Sequence, residues 1–88
     1  MDVKQAVATA KAYYIDVIGE TPSVEEIWFD EPHDEWCVTL GRRRMIKENA
    51  LSVMGVQSRE VIDYKVVRIS DKDGKALSIR NRDIERAA

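Results

Sequence analysis

The chain has 88 residues, 44% hydrophobic and 34% charged, with a formal net charge of −2. That is the length of one domain, too apolar for a disordered segment, with a small core and a thin stability margin. No apolar run approaches the ~18–20 residues of a membrane span, and Cys37 is the single cysteine, so a disulfide-stapled secreted scaffold is excluded.

Asp2, Lys4, Lys11 and Asp16 interrupt any apolar signal segment, and the chain opens on Met1. The expectation is a complete, cytoplasmic chain. Charge is unevenly distributed. Residues 1–35 hold nine acids and two bases, a net of −7, and residues 36–88 hold seven acids and twelve bases, a net of +5. If the two halves do not interleave, one face is acidic and another basic.

Residues 2–18 read as a helix. Val3, Ala6, Val7, Ala10, Tyr13, Tyr14, Val17 and Ile18 recur at three- and four-residue steps and share one face. Asp2 and Gln5 have capping-box spacing, Gly19 suits the left-handed position after the last turn, and Pro22 lies beyond it. Val24–Asp30 follows as a strand, with Ile27 and Phe29 alternating against Glu26 and Trp28. Glu31-Pro32-His33-Asp34 is a turn. Trp36, Val38 and Leu40 then alternate with Cys37, Thr39 and Gly41, a half-buried strand that pairs with the first as a hairpin.

Residues 42–58 are ambiguous. Arg42-Arg43-Arg44 extends the second strand or leaves it. Met45 to Met54 reads as a short helix ending at Gly55, or as a long hairpin loop; inserts of this length are often functional or mobile. Glu60–Ser70 is a strand of β-formers whose alternation breaks at Val66-Val67, as in a central strand or at a bulge. Asp71-Lys72-Asp73-Gly74 is a turn, and Ala76–Arg82 a last strand with Leu77 and Ile79 on one face. Connections this short join antiparallel neighbours. The expected fold is one α+β domain over 1–88: an N-terminal helix packed on a four-stranded antiparallel sheet, in the order α-β-β-insert-β-β with the insert at 42–58.

The stretch from Tyr64 to Ile79, with its Asp71-Lys72-Asp73-Gly74-Lys75-Ala76-Leu77 turn, resembles the closing hairpin of PepSY-type domains. The helix and the hairpin around Trp36-Cys37-Val38 fall in that family's order. Cystatin-like folds, small bacterial immunity proteins and the gas-vesicle accessory protein O family have similar layouts. The PepSY resemblance implies a helix-plus-sheet fold and an inhibitory role beside proteases.

Catalytic chemistry is sparse. His33 and Cys37 are the only such pair, and a thiolate nucleophile needs a base within hydrogen-bond reach and an oxyanion site. Packing explains Cys37 and solvation explains His33 more simply. Asp30, Glu31, His33, Asp34 and Glu35 crowd one turn without zinc or EF-hand spacing, so no metal and no cofactor is expected. Glu25 and Glu26, adjacent in a strand, should point to opposite faces and so form no carboxylate pair. Arg42, Arg43 and Arg44 with Lys47 form a basic cluster, which Arg59, Arg68, Arg80, Arg82 and Arg86 join if the sheet brings them together, yet the acidic balance argues against nucleic acid. Trp28 carries more weight. With Ile27 and Phe29 on the helix, Trp28 faces the other side with Glu26, unless a bulge or the 42–58 insert covers it.

These features point to a non-catalytic protein-binding module of the inhibitor, immunity or accessory-subunit type. Its expected partner surface is the outer sheet face at Glu26, Trp28 and Thr39, flanked by Arg42, Arg43 and Arg44. A self-associating assembly component, such as a homodimer, is the alternative, and nucleic-acid binding through the arginines a weaker one.

Overall fold

The computed structural model describes residues 1–48 and 57–82. The helix α1 runs Val3–Ile18 and is followed by β1 (Ser23–Asp30), a single 3-10 turn at Glu31–His33, β2 (Glu35–Glu48), β3 (Gln57–Ser70) and β4 (Ala76–Asn81). The four strands form one antiparallel sheet in the order β1-β2-β3-β4, with α1 packed on one face. This is the two-layer α+β architecture that the periodicities predict.

The helix begins and ends where its sequence directs. Asp2 Oδ1 accepts from the Gln5 N–H at 2.8 Å, and Gln5 Oε1 accepts from the Asp2 N–H at 2.9 Å. Both are donors that an uncapped first turn would leave unpaired. Gly19 sits at φ 91°, and its N–H reaches the Ile15 carbonyl at 2.8 Å. Ala6, Ala10 and Tyr14 are the fully buried positions; Val3 and Val17, at the ends of the apolar stripe, are about half exposed, at 49% and 51%. Two alanines at the contact let the helix backbone approach the sheet closely, against Val38, Leu40, Val67 and Ile69.

The β1–β2 and β3–β4 turns lie at one end of the sheet. Asp34 takes a left-handed conformation at φ 50°, and its carbonyl accepts from the Asp71 N–H at 3.0 Å. Gly74, at φ 66°, closes the second turn by donating to the Ser70 carbonyl at 2.8 Å. Trp36 ties the two together, donating from Nε1 to Asp71 at 2.8 Å while its ring lies 5.1 Å from that of Phe29.

Arg42, Arg43 and Arg44 extend the second strand, one of their two readings, and the strand runs on through Met45–Glu48 in place of the expected helix or loop. Gln57 and Ser58 already belong to β3. The two strands pair from Glu35↔Ser70 to Glu48↔Gln57, whereas β1 reaches only to Gly41 and β4 only to Lys65. The domain therefore carries a two-stranded arm beyond its four-stranded platform, and its extents are 57 × 31 × 17 Å. A helix starting at Met45 loses to strand because cross-strand pairs are available along the whole arm. The part of the expected insert at 49–56 lies outside the described residues.

Candidate functional site: the outer sheet face

Alternation and register fix what the face opposite α1 presents. Val38 and Leu40 pack into the core with the helix, so Cys37, Thr39 and Gly41 point the other way. Trp28 pairs with Cys37, Glu26 with Thr39, Arg68 with Cys37, Val66 with Thr39, Ser78 with Arg68 and Arg80 with Val66. The centre of the face is thus a row of small residues on β2, bordered by larger ones on β1 and β3.

A register shift between Val24 and Glu26 changes the border. Glu25 is the extra residue of a bulge, and bulges turn a strand locally out of its alternation. A Cβ at Gly41, on the Thr39 face, would lie 2.9 Å from Glu25 Oε1. Glu25 and Glu26 therefore border the same face, correcting the expectation that adjacent positions must diverge. Ser23 Oγ holds Glu25, donating to Oε1 at 2.7 Å.

Two arginines cover the row. Arg68 Nη1 reaches Glu35 Oε2 at 3.0 Å and Asp30 Oδ2 at 3.2 Å. Asp30 also bonds the exposed His33 ring at 3.0 Å. Burial of Asp30 works to raise its pKa, but the bonds from Arg68 and His33 outweigh this and hold its carboxyl below the ordinary value. Arg82, just beyond β4, reaches back across the sheet. Its backbone N–H donates to the Tyr64 carbonyl at 2.9 Å, and its Nη1 donates to Thr39 Oγ1 at 2.6 Å and to the Glu26 carboxylate. Its guanidinium carbon stands 4.8 Å over the centre of the Trp28 ring, a cation–π stack. Under this cover Cys37 and Thr39 are fully buried, although no helix of the described residues lies above them. Burial pushes the Cys37 thiol pKa up, which favours the protonated form over a nucleophilic thiolate.

The structure brings Glu26, Trp28 and Thr39 together and divides the three arginines expected beside them. Arg43 lies further along the same face, with Nε 3.3 Å from Glu60. Arg42 points to the helix side, 3.1 Å from Glu20, and Arg44 lies 2.6 Å from Asp63 on that side. All three are matched by carboxylates. The sequence-level charge asymmetry is neutralised in the same manner, since Glu20, Glu26, Asp30 and Glu35 from the acidic half meet Arg42, Arg82 and Arg68 from the basic half. Among the described residues no cluster of three or more His, Cys, Asp or Glu side chains is arranged to hold a metal. No described helix is long and apolar enough to cross a membrane.

Arg68 and Arg82, expected at most as additions to the basic cluster, are instead covers of the row, and Glu25 is a border that the sequence did not reveal. Arg86 lies outside the described residues. Alternation carried a signal for Arg82: with Ile79 inward, Ser78, Arg80 and Arg82 fall on the face of Trp28. No protein-family model matches the chain, and neither a curated protein nor a solved structure matches it.

Proposed function

We propose that this chain is a small non-catalytic protein-binding module that takes its partner on the outer sheet face, with Trp28 as the anchor. The observation that supports this most is a tryptophan placed on the sheet face opposite α1, bordered by Glu25, Glu26 and Arg82. Aromatic and arginine side chains are the ones that concentrate binding energy when a partner excludes water from them. The inhibitor, immunity or accessory-subunit role is the one that such a module would fill, and the PepSY resemblance points the same way.

The test is capture of binding proteins from the native host by wild type and by Trp28→Ala, with mass spectrometry as readout. The reading expects a specific partner held by wild type and lost by Trp28→Ala, because truncating a central anchor costs about 2 kcal/mol or more of binding. Equal capture by both would overturn it.

A specific observation also favours self-association. The arm formed by residues 42–48 and 57–63 has no third strand beside it among the described residues, and its Met45 is 62% exposed. Isolated two-stranded ribbons are marginal in water and gain from added strands. Sedimentation velocity over a hundredfold concentration range distinguishes the readings: a homodimer that Met45→Lys weakens and Trp28→Ala does not would locate self-association on the arm.

A further inference from the structure

We propose that Trp28, Glu26 and Thr39 form a receptor for an arginine side chain, filled in the free chain by Arg82 and taken over by an arginine of the partner. This rests on the protein-binding reading and names the chemistry that the outer face recognises.

The three groups match the three features of a guanidinium. The aromatic face of Trp28 lies beneath its delocalised cation, the Glu26 carboxylate meets its charge, and the Thr39 hydroxyl accepts one of its N–H donors. Lysine fits less well, because a rounded ammonium cannot stack flat while its donors fan to two acceptors. Thr39 is fully buried, yet its hydroxyl bonds the head of Arg82, so the polar floor of the site lies beneath the guanidinium. Glu25 lies beside Glu26 over Gly41 and adds a second carboxylate to the border, which favours a cationic occupant.

The two covering arginines are anchored differently, and the difference identifies the exchangeable one. Arg68 lies inside β3, with strands on both sides, and is held by Asp30 and Glu35. Arg82 lies past Asn81, the last residue of β4, where its backbone N–H donates to Tyr64. Strand ends open at far lower free energy than strand interiors. Tethering also gives Arg82 a high effective concentration, so a free arginine competes poorly until the tether is removed or a partner supplies further contacts.

The experiment uses the full chain labelled with ¹⁵N and titrated with the tripeptide acetyl-Gly-Arg-Gly-amide, reading the Trp28 indole N–H. Arg82→Ala is expected to bind at least tenfold more tightly than wild type. The citrulline analogue, which keeps the shape and loses the charge, should not bind, and the lysine analogue should bind more weakly. Adding Glu26→Gln to Arg82→Ala should weaken arginine binding at least tenfold. Equal affinity of wild type and Arg82→Ala, no binding to either, or equal binding of the citrulline analogue would overturn the proposal. So would loss of the fold, read by circular dichroism, in both Arg82→Ala and Arg82→Lys, since Arg82 would then be part of the structure and not an occupant. If arginine fails to bind while Trp28→Ala still loses the partner, the arginine site falls and the protein-binding reading stands.

Discussion

The two faces of this sheet are closed by different means. On one, Val38, Leu40, Val67 and Ile69 meet Ala6, Ala10 and Tyr14 of the helix, and apolar area is removed from water by a second layer. On the other, Cys37 and Thr39 reach the same zero exposure under Trp28, Arg68 and Arg82, whose long side chains lie across the small residues of β2. Arginine suits this second kind of cover because its stem packs while its head stays paired at the surface. The contrast separates stability from recognition. A helix layer is fixed by many apolar contacts at once, whereas a cover of individual side chains held by a few polar contacts each can be exchanged for another surface of matching chemistry.

The largest effect that the contrast predicts lies on the helix face. Leu40→Ala should lower the free energy of unfolding by about 2–5 kcal/mol, measured by urea titration. That is a large share of the stability of a domain this small, for which about 4–13 kcal/mol is typical. A loss under about 1 kcal/mol would mean that the helix layer does not carry the fold.

A smaller effect is expected from the outer-face ion pairs, and it depends on pH. Because Asp30 holds its proton less tightly in the folded chain than in the unfolded one, its contribution is fully present above the ordinary carboxylate value. It is lost as pH falls from about 4 through the lowered folded value. Acid titration of stability should therefore be steeper in wild type than in Arg68→Ala over that range. Equal slopes would show that Arg68 does not hold Asp30 ionised.

The smallest effect concerns Tyr14. Its hydroxyl is buried and meets no protein partner among the described residues, and burial raises its pKa. Tyr14→Phe removes a desolvated polar group and keeps the ring, so stability should stay level or rise by up to about 1 kcal/mol. A loss beyond that would mean that water bridges the hydroxyl to the neighbouring Arg42.

Much of this contrast was legible in the sequence, and the limits have physical causes. The helix was readable from its capping box, its Gly19 terminus and its periodic apolar face, all local signals. Trp28 opposite Ile27 and Phe29 gave the two sides of β1, and Thr39 opposite Leu40 gave those of β2. The bulge at Glu25 was hidden, because one inserted residue changes the face of its neighbours without a mark in composition. Arg42–Arg44 read equally as strand or loop, and Met45–Glu48 as helix or loop, because among the described residues the arm has no fully buried position to impose strict alternation. The place of Arg82 over Trp28 and Thr39 stayed hidden for a different reason. Its partners lie 43 and 56 residues away in the chain, and only the strand order places them beneath it.

The most direct test of the account combines unfolding and capture in one variant. Trp28→Ala should retain the wild-type circular dichroism spectrum and a cooperative urea transition, because the core cluster lies on the helix face, and should lose the captured partner. A Trp28→Ala protein that unfolds, or one that folds and captures the partner as wild type does, would contradict the assignment of stability to one face of the sheet and recognition to the other.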